Sequence, residues 1–264
     1  MTRVALIGCG KMGGAMLRGW IASGIKPHDI SVLEPQGIAQ EFLSTGVQVF
    51  TPNTPPPDVA VLAVKPQVMN EVCASIKSSI APQTLILSIA AGKSIATFEN
   101  LFGAAQPIIR AMPNTPAAIS KGITVAVANQ NVTTAQKETA HTLLCATGIV
   151  EWIDDEILMD AVTALSGSGP AYVFLLIETL AKAGERAGLP ADLAMNLARQ
   201  TVIGSAALAE TDATTSAVTL RQNVTSPNGT TEAALKVLME ENGIQPLFDR
   251  ALSAATDRSR ELSK

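Results

Sequence analysis

The chain has 264 residues, 47% of them hydrophobic and 16% charged, enough apolar side chain to bury a large core as one domain or two. A formal net charge of -4 with no clustered basic run offers no field for nucleic acid, and three scattered cysteines and two histidines lack the spacing of a disulfide framework or a metal site. No stretch reaches roughly 18 uninterrupted apolar residues and no leader pattern stands at the start, so neither membrane span nor signal peptide is expected and the chain reads as cytoplasmic.

Residues 4–7 form a short apolar strand candidate, followed at once by Gly8-Cys9-Gly10-Lys11-Met12-Gly13 and a helical pattern over 11–23 that Gly24 stops. This is a G-x-G-x-x-G run in the strand-turn-helix setting that dinucleotide binding requires. Gly8 permits the tight turn, Gly10 removes a side chain that would block the pyrophosphate, and Gly13 lets the helix approach the strand. Phosphate charge then meets the positive end of the helix. Cys9, between two of the glycines, reads as a small packing residue rather than a reactive thiol.

The second strand candidate, 30–33, ends at Glu34, about 20 residues beyond the last glycine of the fingerprint, where a carboxylate accepts from ribose hydroxyls and repels a 2′-phosphate. No Arg or Lys follows before residue 50, so the charge argument leans toward NADH. The alternative is that Glu34 faces solvent while Gln36 and backbone N–H groups hold a 2′-phosphate. Further strand candidates lie at 47–50, 59–64, 84–88, 108–111, 123–128 and 149–152, with helical patterns at 66–79 and 134–147 between them. Such alternation predicts an α/β fold with a mostly parallel sheet. Asn53, following the third strand, is a candidate cofactor-binding residue. Ala63-Val64-Lys65-Pro66 closes the fourth, where Lys65 either reaches the cofactor or lies on the surface. Ala90 and Gly92, then Met112, Pro113 and Asn114, close later strands with small or turn-forming residues that let the backbone approach a nicotinamide. Arg110 reads as structural.

Beyond residue 155 the strand signals stop. Residues 170–187, 190–210, 230–241 and 246–263 read as helices, three with Pro near the first turn. The expected division is a dinucleotide-binding domain over 1–154 and a helical domain over 155–264. Tyr172-Val173-Phe174-Leu175-Leu176-Ile177 is apolar on every face, and the helical region is too short to bury it fully, so a subunit interface and at least a dimer are expected. Tyr172 belongs to that interface rather than to acid chemistry.

Late in the chain stands Thr225-Ser226-Pro227-Asn228-Gly229-Thr230-Thr231, a hydroxyl-rich loop entering a helix at its N-terminus, with donors suited to a small anion such as a substrate carboxylate. Plain helix capping by Ser226, Thr230 and Thr231 is the competing reading. Lys182 lies at helical spacing from Glu178 and Arg186 and reads as a surface ion pair. Residues 171–181 contain no lysine, which counts against a 2-hydroxyacid-type dehydrogenase with its lysine base. A dinucleotide-sensing protein without turnover would leave the second anion loop without purpose.

Taken in series, the glycine fingerprint, Ala63-Val64-Lys65-Pro66, Ser88-Ile89-Ala90-Ala91-Gly92, Met112-Pro113-Asn114-Thr115-Pro116, Ser166-Gly167-Ser168-Gly169-Pro170-Ala171-Tyr172 and the segment from Leu220 to Thr231 resemble the pyrroline-5-carboxylate reductase family over nearly the whole chain. The resemblance implies a Rossmann-type domain followed by a helical domain that interlocks with a second copy, NADPH or NADH as hydride donor, a cyclic imino acid as substrate, and the last step of proline biosynthesis. It implies that Ser226 and the N–H groups of Gly229 and Thr230 hold the substrate carboxylate, and that Thr231, the candidate catalytic residue, hydrogen-bonds the ring nitrogen. Two positions depart from the family pattern. Asn228 replaces a usual Gly, which touches the loop backbone, and Glu34 replaces a small or basic residue, which touches NADPH preference.

Overall fold

The computed structural model describes residues 2–262; residues 1, 263 and 264, with the end of the helix expected over 246–263, lie outside them. Eight strands, β1 (Val4–Ile7), β2 (Ile30–Leu33), β3 (Gln48–Val49), β4 (Val59–Leu62), β5 (Leu85–Ser88), β6 (Ile108–Met112), β7 (Gly122–Ala128) and β8 (Gly148–Trp152), form one sheet in the order β3-β2-β1-β4-β5-β6-β7-β8. Strands β1 to β6 are parallel, β7 runs antiparallel to β6, and β8 is parallel to β7. The order of the first six is that of a Rossmann-type domain, with the switch point between β1 and β4. Every expected strand is present, with ends matching or displaced by at most two residues.

The alternation of side chains along β1 divides its four residues between two cores. On one face Val4 and Leu6 join Met16, Leu17 and Trp20 of α1 (Lys11–Ala22) and Leu143 and Leu144 of α5 (Thr134–Cys145). On the other, Ala5 and Ile7 join Met69, Cys73 and Ile76 of α3 (Met69–Ile76) and Phe98 of α4 (Ile95–Phe102). Trp20 is fully buried, and its indole N–H finds an acceptor in the Leu143 carbonyl at 2.8 Å. The helix expected over 66–79 is cut in three, because Pro66 opens a separate turn before α3 and Lys77–Ser79 closes in a tighter one. A short α2 (Gln40–Leu43) precedes β3.

The chain forms two compact units, one running to Ser168 and resuming at Ala255, the other comprising Gly169–Ala254. Compactness thus divides the chain later than residue 154. Residues 155–168, including α6 (Met159–Val162), go with the sheet: Met159 is buried in its core and Glu156 pairs with Arg110 of β6 at 2.8 Å. Ser259, near the end of α11 (Ile244–Leu262), donates to Asp160 Oδ1 at 2.6 Å.

The second unit is helical: α7 (Gly169–Arg186), α8 (Ala191–Thr211), α9 (Ala217–Asn223), α10 (Thr230–Leu238) and the start of α11. Helices α7 and α8 approach closely because Gly184 faces Ala194, and the buried apolar side chains there, Ala181, Ala194 and Ala198, are all small. The large ones point outward. Phe174 is 65% exposed, and Leu175, Leu176, Leu193, Leu197 and Ile203 are exposed with it. The helical run Glu156–Arg186 is long and apolar enough, by length and composition alone, to cross a membrane.

Candidate active site

The carboxyl ends of the parallel strands are stitched together at the glycine loop. Gly8 N–H donates to Leu33 O and Ala63 N–H to Ile7 O, both at 2.8 Å. Gly8 has φ +96°, and a Cβ there would lie 2.8 Å from Ala63 O and from Val64 Cγ1, so the turn and the close approach both demand glycine. A Cβ on Gly13 would strike the Gly8 carbonyl, which brings α1 hard against the loop. Gly10 is different. A Cβ on it would meet nothing within 4 Å, and as the N-cap of α1 it leaves the first-turn N–H groups uncapped by any side chain. That open cradle at a helix N-terminus fits a dinucleotide pyrophosphate. Lys11 and Met12 are the first residues of the helix behind it.

Glu34 does not face open solvent. It is half-buried, its Oε2 accepts from Cys9 N–H at 2.8 Å, and its Oε1 accepts from Gln36 N–H at 3.2 Å. The carboxylate is therefore tethered to the phosphate loop. Gln36 is the donor of one of these bonds through its backbone. Burial first, and then the Glu34 charge, push the Cys9 thiol above its ordinary pKa, while Arg18 acts the other way. A neutral thiol beside the cradle suits a packing role.

The remaining strand ends line the same edge. Lys65, exposed, caps the turn that Pro66 opens. Ala90 N–H donates to Ser88 Oγ at 3.3 Å, and Gly92, at φ +70°, abuts the backbone of Leu262. Met112 rests against Gly167, and Pro113 is buried. The Asn114 side chain is occupied structurally, accepting from Ile123 N–H at 3.0 Å and donating to Ser166 Oγ at 3.3 Å. Asn53 is seen at a different cavity wall. It lines, with Arg3, His28 and Asp29, a cavity of about 350 Å³ with no fingerprint residue in its wall. Arg110, 5% exposed, directs its charge at Glu156, whose Oε1 also takes Ile95 N–H.

In the helical unit the late loop is a built turn. Gly229 N–H donates to Ser226 O at 3.0 Å, Pro227 holds the second position, and Asn228 the third at φ +59°. This is the pattern of a type II turn, whose third position takes Gly or Asn. Gly229, the N-cap of α10, is thus committed to the turn, and the N–H groups left over for an anion are those of Thr230, Thr231 and Glu232, which have no acceptor within the helix. Ser226 and Thr231 are exposed, and no side chain of the N-cap residue closes α10. Lys182 pairs with Glu178 at 2.6 Å on the surface of α7.

The helix-end contact of the loop escaped the sequence reading. Glu232 Oε2 accepts from Asn228 N–H at 2.6 Å. The spacing from N-cap Gly229 to a carboxylate three residues on is the signal that would have found it.

A family model described as pyrroline-5-carboxylate reductase dimerisation matches residues 156–262, and one described as NADP oxidoreductase, coenzyme F420-dependent, matches residues 3–92. A pyrroline-5-carboxylate reductase of Pseudomonas aeruginosa is 43% identical over 99% of this chain and 97% of its own length. The chain belongs to the pyrroline-5-carboxylate reductase family. A solved reductase from Coxiella burnetii, 40% identical, superposes with a TM-score of 0.90 over 100% of this chain and 99% of its own. One from Plasmodium falciparum with NADP bound is 30% identical and superposes at 0.84 over 100% and 98%. Membership makes the chain an NAD(P)H-dependent oxidoreductase and gives its C-terminal segment a dimerisation role.

Proposed function

We propose that this reductase converts the cyclic imine L-1-pyrroline-5-carboxylate to L-proline with NADPH or NADH. The observation that carries the reading is the Ser226–Gly229 turn, which forms with Asn228 at its left-handed position and leaves the first-turn N–H groups of α10 and the hydroxyls of Ser226, Thr230 and Thr231 for the substrate. The bound dinucleotide supplies hydride to the imine carbon. Gly8, Gly10 and Gly13 with the N-terminus of α1 hold its pyrophosphate, and Glu34 sits where the adenosine ribose hydroxyls belong, favouring NADH. Ala90, Gly92 and Met112 shape the edge that the nicotinamide approaches. In the helical module Ser226 and the Thr230 N–H fix the carboxylate, so that orientation supplies much of the rate. Thr231 holds the ring nitrogen through a hydroxyl that both donates and accepts as the imine becomes an amine.

Residues 155–264 act as the substrate-binding and dimerisation module of this proposal, even though their first stretch packs with the sheet. The outward apolar face of α7 is covered by a second copy of the chain rather than by a bilayer, a reading supported by the dimerisation match over the same residues. The free thiols of Cys9, Cys73 and Cys145 suit a reducing compartment, which supports cytoplasmic action.

The test is NAD(P)H oxidation by the purified protein with pyrroline-5-carboxylate, run beside a 2-hydroxyacid and its ketoacid. Turnover of the imino acid alone is expected. Turnover confined to the ketoacid pair, or none with any substrate, would overturn the assignment.

A further inference from the structure

We infer that Glu232 is the positioning residue of the substrate loop, holding the left-handed residue of the Ser226–Gly229 turn so that the N–H groups and hydroxyls at Thr230 and Thr231 stay set for the substrate's acid group. The inference rests on the proposed reading of that loop as the carboxylate site. The reaction needs no acid or base from Glu232, and its contact is with backbone.

The geometry singles this carboxylate out. Asn228 at φ +59° carries a conformational cost that glycine would not, so the turn needs an external hold. In an ordinary capping box the carboxylate at the third helical position returns to the N-cap N–H. Here that N–H, on Gly229, is already bonded to Ser226 O. Glu232 reaches one residue further and takes Asn228 N–H at 2.6 Å, a short, charge-assisted bond across the crest of the turn. Gly229 has no side chain to cap with, so Glu232 is the side chain that ties helix α10 to the turn. Placing a carboxylate beside an anion site has an electrostatic cost, offset by Arg221 and Lys236, which line the same cavity of about 370 Å³ as Glu232. The hold on the backbone is then retained while the first-turn N–H groups remain free for the ligand.

Steady-state kinetics on the full-length enzyme, with NADH binding followed separately by fluorescence, tests this. Glu232→Ala is expected to raise KM for pyrroline-5-carboxylate about tenfold, with kcat within about threefold and NADH affinity unchanged. Glu232→Gln, whose amide oxygen accepts the same N–H, restores KM to within about threefold of the parent. In an Asn228→Gly background, where the backbone adopts positive φ unaided, removing the Glu232 side chain raises KM by less than about threefold, so the two changes are coupled. An unchanged KM in Glu232→Ala overturns the inference, as does a Gln variant no better than the Ala variant, or a tenfold penalty that persists in the Asn228→Gly background. A parent enzyme inactive on the imino acid would instead remove the functional reading itself.

Discussion

The sheet unit and the helical unit solve the burial problem in opposite ways. In the first, large side chains point in: Trp20, Leu6, Ile7 and Phe98 are fully buried on the two faces of a parallel sheet. In the second, alanines point in and the large residues point out, with Phe174 65% and Leu175 59% exposed. A sheet covered by helices on both faces closes its core within one chain. A helical hairpin built on Ala181, Ala194 and Ala198 buries little apolar area within its own chain, which supports the proposed pairing with a second copy. The first closes its core within one chain, and the second leaves its large apolar side chains exposed.

The sharpest way to break that contrast is to charge the outward face. Phe174→Glu is expected to weaken self-association by about 100-fold or more, because an aromatic anchor of the proposed interface is lost and a carboxylate is desolvated there. Size-exclusion chromatography with light scattering should find monomers without turnover that still bind NADH. A variant that remains oligomeric would show that α7 is not the interface. The reciprocal break falls in the sheet unit. Gly8→Ala forces a side chain into Ala63 and Val64 at φ +96° and is expected to cost about 3 kcal/mol or more, with loss of cofactor binding. Gly10→Ala, whose Cβ meets nothing, should leave the melting temperature within about 2 °C while raising the NADH Kd at least about tenfold. Equal thermal losses in the two variants would refute the division of labour between these glycines.

Thr231→Ala probes the helical unit without touching the sheet. Turnover should fall by roughly 10- to 100-fold, the range of a lost hydrogen bond to a reacting atom, with NADH affinity unaltered. An unchanged kcat would remove Thr231 from the reaction.

How much of this was legible in sequence follows the same divide. The sheet was readable because β1 is an unbroken apolar run, the glycine loop follows it directly, and both signals are local. Asn228 was noticed as a departure, but its consequence required the turn: only the Gly229–Ser226 bond shows why Asn is accepted there and why Gly229 N–H is not free for an anion. Glu232 and the Arg110–Glu156 pair were missed for a different reason, since each joins a carboxylate to a partner whose approach depends on backbone geometry. Helix α9, Ala217–Asn223, was also passed over; its seven residues span too few turns for a periodic signal, and its Ser216 cap is the one local cue.

The smallest expected effect concerns the ribose end of the cofactor, where spacing pointed to Glu34 and the structure shows how its carboxylate is held. Bonds from Cys9 and Gln36 N–H engage both carboxylate oxygens and oppose movement of the charge away from the loop. Each oxygen keeps a further lone pair for a ribose hydroxyl. If the proposed ribose role holds, a like charge at close range is expected to disfavour NADPH by about 1.4 kcal/mol, roughly a tenfold effect. Glu34→Ser should shift the ratio of kcat/KM for NADPH over NADH upward by about tenfold, but it also frees Cys9 N–H and loosens the loop. Glu34→Gln separates the two effects, because its amide oxygen keeps the Cys9 bond while the charge is gone. If charge is the discriminator, the Gln variant shifts the ratio as far as Ser does and keeps NADH affinity within about threefold of the parent; a ratio fixed in both variants would show that the carboxylate does not read the ribose at all.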